Sequence, residues 1–262
     1  HLSIRRQRQM CIRDSALSVR SRLVDVERIL DLLAKGEMVE SHGLMPWSSN
    51  YTFLVTVRQA NVELLAIYKP CRGERPLWDF PDGTLALREV ASFHVSQALG
   101  WDFIPPTVLR KGLHGLGAVQ LFIEADPEVH YFTLRDQHVP VFQRVAAFDY
   151  IVNNADRKAG HCLQSQDGHI WTIDHGLTFH PEYKLRTVIW DFASQPIPDD
   201  ILVDLRRLQQ TLDQPSSALL AELTHLLTDH EIEIFRRRLD RLIVVGRFPL
   251  PGRGYNVPFP PI

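Results

Sequence analysis

The order of the hydrophobic patterns along this 262-residue chain limits its fold more than any other sequence feature. Short segments rich in β-branched and aromatic residues, separated by polar turn clusters, dominate the first half. Apolar residues at intervals of three and four dominate the last third. We therefore predict an α+β protein with two lobes, in which a small antiparallel sheet with one helix precedes a mainly helical lobe.

The first predicted lobe covers residues 22–123. Thr84 is the expected N-cap of its main helix and Gly100 the expected end. The Gly-rich stretch at 112–117 has the wrong spacing for a dinucleotide fingerprint and indicates a hairpin turn. The predicted elements are, in order, a helix at 22–33, strands at 38–39, 51–57 and 62–68, a helix at 84–100, and strands at 107–110 and 118–123.

The second predicted lobe covers residues 124–248. Its expected elements are a connection at 124–139, a helix at 141–152, a small hairpin with strands at 162–164 and 170–173, and helices at 201–212, 216–226 and 231–244. Residues 1–21 form a basic segment that we expect to be a non-native or disordered leader. Residues 249–262 are rich in proline and are predicted to lie extended over the surface.

Charge and cysteine content exclude several classes of protein. With 29 Lys and Arg against 31 Asp and Glu, the net charge is −2, so no overall basic field is present to bind nucleic acid. The three cysteines are scattered, which argues against a disulfide framework and favours a cytoplasmic location. No apolar run approaches the roughly 20 residues that span a bilayer.

Two acidic residues flank the predicted small hairpin. Asp156 belongs to the preceding polar loop, and Asp174 follows the second strand. Phosphoryl transfer uses such a pair, because one carboxylate orients or deprotonates the attacking hydroxyl while the other holds Mg²⁺ against the nucleotide phosphates. Upstream, Lys69 ends the third predicted strand and Glu89 lies on the following helix, an order that can direct the ammonium towards phosphates.

The segments DRKAGH at 156–161 and IDHG at 173–176 resemble the catalytic loop and the D-x-G metal motif of the protein-kinase-like superfamily. They are most similar to its phosphatidylinositol 3-/4-kinase and HipA-like branch, including type II phosphatidylinositol 4-kinases. Together with GERPLWDFPDGTL, they resemble a mainly actinobacterial family of phosphatidylinositol kinase-like proteins. This resemblance covers roughly residues 36–192 and implies a two-lobed kinase-like fold.

The resemblance implies a role for each matching residue. Lys69 would contact the α- and β-phosphates of ATP, and Glu89 would anchor it. Asp156 would be the catalytic aspartate, and Asp174 would bind the metal. Lys158 would neutralise the γ-phosphate.

Other positions depart from the family pattern. His161 stands five residues after Asp156, where a second metal ligand is usually Asn, and imidazole suits Mg²⁺ less well, so Mn²⁺ is an alternative. No glycine-rich phosphate loop is present, and Ser48, Ser49 and Asn50 would take its place. Adenine is expected between the lobes, near Gln120 and Leu121.

The leading hypothesis is an ATP-dependent kinase whose hydroxyl acceptor is a phosphoinositide, a protein Ser or Thr, or a small alcohol. A nucleotide-binding pseudokinase acting as a regulatory module is an alternative. A metal-dependent hydrolase is another, built from the acidic and imidazole side chains of Asp156, His161, His169, Asp174, His175 and His180.

Several neighbouring residues have simpler structural interpretations. Asn153 and Asn154 are expected to end the preceding helix. Trp78 and Phe80 are expected to plug the lobe interface rather than cover the nucleotide. Lys184 fits either substrate recognition or a solvated basic turn.

Overall fold

A five-stranded antiparallel sheet occupies the first half of the chain in the computed structural model, which describes residues 19–45 and 50–262. The strand order is β1-β2-β3-β5-β4. The strands are β1 (Glu37–Leu44), β2 (Phe53–Gln59), β3 (Val62–Pro70), β4 (Thr107–Gly112) and β5 (Gly115–Leu121). The predicted meander and the hairpin at Gly112 and Gly115 are therefore confirmed.

The sheet buries one face against helix α1 (Val19–Lys35). Alternate residues of β2, Val55 and Val57, are fully buried, as are Ala66 and Tyr68 of β3. This period of two is what a strand requires to place its apolar side chains on a single face. Leu33 of α1 packs into the same cluster.

Helix α2 (Leu85–Leu99) crosses behind the sheet and ends at Gly100, which has a φ of 70° in the left-handed region. Thr84 is the N-cap residue, as predicted, but its hydroxyl donates to the Pro81 carbonyl and does not cap the helix. Glu74 caps the helix instead, because its two carboxylate oxygens accept the N–H groups of Leu85 and Ala86. A carboxylate there also interacts favourably with the helix dipole.

The rest of the chain is mainly helical, with one small two-stranded sheet. A short helix lies within the segment predicted to be an irregular connection, and the other helices extend one to two residues beyond their predicted ends at most termini. The elements are α3 (Tyr131–Leu134), α4 (Val139–Val152), β6 (Cys162–Gln164), β7 (Ile170–Thr172), α5 (Asp199–Asp213), α6 (Ala218–Leu226) and α7 (Asp229–Val245). These elements confirm the predicted α+β class.

The proline-rich segment at 249–262 contains no helix or strand. It is nevertheless bound to the fold, since the Asn256 carbonyl accepts N–H groups from Thr187 and from the Trp190 indole, each at 3.0 Å. The Pro261 carbonyl accepts the N–H of Ala159 at 2.8 Å.

Among the residues that the structure describes, we find no helix with the length and apolar character needed to cross a bilayer.

Candidate active site

A pair of charged side chains joins the sheet to α2. Lys69 lies near the end of β3, which is hydrogen-bonded on both sides, and its ammonium donates to Glu89 Oε1 at 2.6 Å. The other oxygen of Glu89 accepts the backbone N–H of His175 at 2.9 Å. Glu89 is only 4% exposed, and a buried carboxylate is tolerated when its oxygens have such partners. Through these hydrogen bonds, Lys69 and Glu89 connect β3, α2 and the segment after β7.

Asp174 brings a second carboxylate to the same ammonium. Its backbone has a φ of 58°, and its Oδ1 accepts a hydrogen bond from Lys69. Partial desolvation by the surrounding protein raises the pKa of Asp174, but Lys69 and His161 lower it by more, so the pKa lies below its usual value. Burial lowers the pKa of Lys69, whereas Asp174 and Glu89 raise it above its usual value. Lys69 is therefore a charged side chain held between two carboxylates.

The loop after α4 presents Asp156. Asn153 ends α4 with a φ of 57°, and Asn154 Oδ1 accepts the N–H of Asp156 at 3.0 Å. Lys158 Nζ lies 3.5 Å from Asp156 Oδ2. Burial raises the pKa of Asp156, and Lys158 only partly opposes this, so the pKa is above its usual value. This carboxylate is consequently a stronger proton acceptor than an exposed aspartate.

A fully buried ion pair between Arg157 and Asp149 holds this loop against α4. The Arg157 guanidinium donates to both oxygens of Asp149, at 3.0 and 3.2 Å from Nε, and from Nη1 to the Ile173 carbonyl at 2.9 Å. Its Nη2 lies 2.7 Å from His175 Nε2, which must accept because guanidinium has only donors. Burial lowers the pKa of His175 well below its usual value. Neutral His175 and Arg157 thereby connect the loop of Asp156 to the segment of Asp174.

Our sequence interpretation missed this buried pair, although the sequence of α4 contains a signal for the pair. Asp149 interrupts the apolar surface of α4, a helix whose other buried residues include Val145, Phe148 and Val152. A carboxylate in that position needs a buried partner. Arg157, the residue after Asp156, supplies that partner.

His161 lies next to Asp174 across the small hairpin. Its Nε2 is 3.4 Å from Asp174 Oδ2, and its Nδ1 accepts the N–H of Lys158 at 3.4 Å. Burial lowers the pKa of His161 to about 4, although Asp174 raises it in part. The imidazole is therefore neutral near pH 7. Because Nδ1 accepts a hydrogen bond, the proton lies on Nε2 and faces Asp174.

Within residues 19–45 and 50–262, no three His, Cys, Asp or Glu side chains form a ready metal site. Mg²⁺ that arrives with a nucleotide needs only one or two carboxylates, since phosphates and water complete its octahedron. The side chain of Asp174 is 47% exposed, so it is accessible to such an ion. The residues fit a nucleotide-associated Mg²⁺ better than a resident zinc ion.

The structure separates the imidazoles that a hydrolase site would require. His175 faces Arg157, and the ring of His180 packs against Phe80 at 5.1 Å. His169 Nε2 lies 2.5 Å from the Asp102 carbonyl. These contacts give no support to a metal-dependent hydrolase.

The remaining predicted nucleotide residues have other partners. Asn50 Oδ1 accepts the N–H of Arg75 at 2.8 Å, and Ser48 and Ser49 lie outside the described residues. The buried Gln120 amide donates to Thr107 Oγ1 at 2.8 Å. The Leu121 backbone N–H donates to the Pro106 carbonyl at 2.9 Å. The Gln120 amide and the Leu121 N–H therefore both have hydrogen-bond partners within the protein.

The loop between β3 and α2 also differs from the sequence interpretation. Phe80 is buried, as expected for a plug, and clusters with Ala155 beside Asp156. Trp78 is 91% exposed, so the prediction that it plugs an interface is wrong. Lys184 is not in a solvated turn, because its buried ammonium pairs with Asp79 at 3.0 Å.

Comparison with known proteins identifies sequences that are similar to this chain. Residues 115–217 match the sequence model of the family "Phosphatidylinositol 3- and 4-kinase". "Protein Rv2133c" of Mycobacterium tuberculosis is 37% identical over 264 residues, which cover 87% of this chain and 94% of the mycobacterial protein.

Plant proteins match more locally. "Phosphatidylinositol 4-kinase gamma 4" of Oryza sativa is 31% identical over 43% of this chain and 23% of its own length. "Phosphatidylinositol 4-kinase gamma 3" of Arabidopsis thaliana is 25% identical over 50% of this chain and 29% of its own length. The chain therefore spans less than a third of either plant protein.

A solved structure shares the fold. The crystal structure of "a Helicobacter pylori proinflammatory kinase CtkA" has a TM-score of 0.51 and covers 82% of this chain and 94% of its own, at 13% identity. The chain thus belongs to the same family as the mycobacterial protein, and it is a phosphatidylinositol 3-/4-kinase-like protein with a protein-kinase-like fold.

Proposed function

We propose that this kinase-type protein transfers the γ-phosphoryl group of ATP to a hydroxyl acceptor. The observation that carries the proposal is the Lys69 ammonium, held between Glu89 and Asp174. A partly buried ammonium positioned by two carboxylates is suited to neutralise phosphate charge, and catalysis of this reaction is mostly positioning and charge stabilisation.

Each residue of the site has one role in the proposed reaction. Asp156 orients the acceptor and takes its hydroxyl proton as the oxygen bonds to the γ-phosphorus. The bond from that phosphorus to the β-phosphate oxygen breaks, and ADP leaves with the electron pair. In the proposed reaction Lys158, whose ammonium lies 3.5 Å from Asp156 Oδ2, offsets the γ-phosphate charge.

A divalent ion would be held by Asp174, with His161 beside it, and would neutralise charge on the β- and γ-phosphates. For His161 to ligate through Nε2, its proton has to move to Nδ1, which breaks the bond from the Lys158 N–H. That requirement favours Asp174 as the principal ligand. It also supports a second candidate function, a pseudokinase that binds nucleotide without turnover.

We propose that the protein contacts adenine beyond the end of β5. The N–H groups of Leu121 and Phe122 donate to Pro106 and Leu65, respectively. The backbone from Ile123 onwards is therefore the proposed position of the base.

Replacing Lys69 by Met tests the nucleotide role. We expect ATP turnover to fall by at least about 10²-fold, because one preorganised charge on the phosphates is lost. Circular dichroism checks the fold, and the control is Lys111→Met, an exposed lysine of the same sheet. Wild-type turnover in Lys69→Met would refute the phosphate role.

The acceptor is identified by a screen with labelled ATP and Mg²⁺ or Mn²⁺ over phosphoinositides, Ser/Thr peptides and small alcohols. The plant relatives are named as phosphatidylinositol 4-kinases, which supports including the lipids. Label transfer that requires Asp156 and Asp174 supports the kinase. Nucleotide binding with no transfer to any acceptor supports the pseudokinase.

The proline-rich segment gives a separate prediction. Deleting residues 257–262 removes the Pro261 carbonyl that accepts the Ala159 N–H, three residues after Asp156. Small displacements of a positioned group lower rates strongly, and we expect about a tenfold or greater loss of turnover with little change in ADP affinity. Equal kinetics for the 262-residue chain and the shortened chain would exclude a positioning role for this segment.

A further inference from the structure

A cavity of about 570 Å³ adjoins α2 and β4. Its walls come from four elements: α1, α2, β4 and α6. A volume of this size is typical of pockets for small organic ligands. None of the side chains proposed to act in phosphate transfer lines it.

The floor of the cavity is apolar. Val90 and Phe93 of α2 and Leu226 of α6 are buried side chains that line it, with Leu30 of α1 and Leu109 of β4 beside them. These residues would contact an apolar ligand body and remove it from water.

The rim of the cavity carries negative charge. Glu27 of α1 and Glu222 of α6 are both exposed lining residues, and neither forms an ion pair or side-chain hydrogen bond in the described part of the chain. A third carboxylate, Asp31, is already paired with Lys35. No Lys or Arg is among the described residues that line the cavity. The rim therefore complements a cation and opposes an anion.

Two elements connect this cavity to the nucleotide site. Val90, Phe93 and His94 lie on the helix that carries Glu89. The lining residue Thr107 accepts the Gln120 amide at 2.8 Å, and Gln120 belongs to the strand that pairs with β3 beside Lys69. A ligand that shifts α2 therefore acts on the Glu89 anchor, and a ligand that shifts β4 acts on the sheet that carries Lys69.

We propose that this cavity is a second ligand site, for a small organic cation with an apolar body, and that its occupation strengthens nucleotide binding. The coupling half of this inference rests on the proposed function. Filling the space between α1, α2 and α6 holds α2 in place. The protein then loses less conformational entropy when it binds a nucleotide that needs Glu89 and Lys69 ordered.

The first experiment titrates nucleotide-free protein by calorimetry with 4-phenylbutylamine and, in parallel, with 4-phenylbutan-1-ol and 4-phenylbutanoate. We expect saturable binding of the amine with an affinity about tenfold or more above that of the carboxylate. Glu222→Gln is expected to weaken the amine several-fold, and Ala34→Trp, which fills the cavity from α1, is expected to abolish binding. Glu128→Gln, an exposed glutamate elsewhere, is the matched control.

The second experiment measures ADP affinity with and without saturating amine. We expect an increase of about threefold or more, and an equal increase in amine affinity when ADP is saturating, because coupling between two sites is reciprocal. Equal affinities for amine, alcohol and carboxylate, or wild-type amine binding in Glu222→Gln and Ala34→Trp, would overturn the proposal. Amine binding without any change in ADP affinity would overturn it as well.

The two proposals fail in different ways. If ADP and ATP do not bind under any condition, the proposed function is refuted and the coupling with it. The amine titration on nucleotide-free protein still decides whether the cavity is a cation site.

Discussion

Replacing Asp156 by Asn is expected to lower the rate of phosphate transfer by about 10²- to 10⁴-fold, the usual contribution of a positioned general base. The amide keeps the size of the side chain but accepts no proton. The N–H of Asp156 is held by Asn154 independently of the side chain, so the loop is expected to keep its conformation. ADP affinity is expected to stay within about twofold of wild type, since Lys69 and Asp174 are unchanged.

Single-turnover kinetics and ADP calorimetry on the same samples separate these two effects. Asp136→Asn is the matched control, because the Asp136 side chain is 94% exposed. If Asp156→Asn and Asp136→Asn transfer phosphate at the same rate, Asp156 is not the base. A parallel loss of ADP affinity would instead mean that the substitution disturbs the whole loop.

Replacing Arg157 by Met is expected to destabilise the protein by about 3–5 kcal/mol, the usual cost of removing one partner from a buried ion pair. Asp149 and Arg157 are both fully buried. Without Arg157, the Asp149 carboxylate keeps only the Asn154 amide as a side-chain donor in the described structure, and the Ile173 carbonyl loses its donor. Urea unfolding measures the change in free energy.

The control for this prediction is an ion pair near the surface. Arg144 pairs with Asp200, whose side chain is 60% exposed, so Arg144→Met is expected to cost less than about 1 kcal/mol. The double variant Asp149→Leu with Arg157→Met removes both buried charges and is expected to recover part of the lost stability. Equal unfolding free energies for Arg157→Met and Arg144→Met would contradict the assigned importance of the buried pair.

Local sequence patterns predicted the elements that bury one apolar face. Val55 and Val57 alternate with less buried residues along β2, and Leu205, Leu208 and Leu212 recur along α5 at helical spacing. Such periods follow directly from strand and helix geometry, so they can be recognised before any tertiary contact is known. The segments DRKAGH and IDHG similarly indicated the family, because they resemble its catalytic loop and its D-x-G metal motif.

The partners of the polar side chains became known from the three-dimensional packing alone. Glu74 caps α2 from 11 residues upstream of Leu85, Arg157 bonds to Asp149 and His175, and Lys69 reaches Asp174 across 105 residues. Similarly, Gln120 turns away from the cleft to Thr107, while Trp78 is exposed to solvent. Most of the elements, their order and the residue types of the site could be predicted from the amino-acid sequence, since these depend on local periodicity and motif spacing. The pairing of buried charges, the neutral state of His161 and the second cavity depend on how distant segments pack, because burial and Coulomb interactions are set by distances in space.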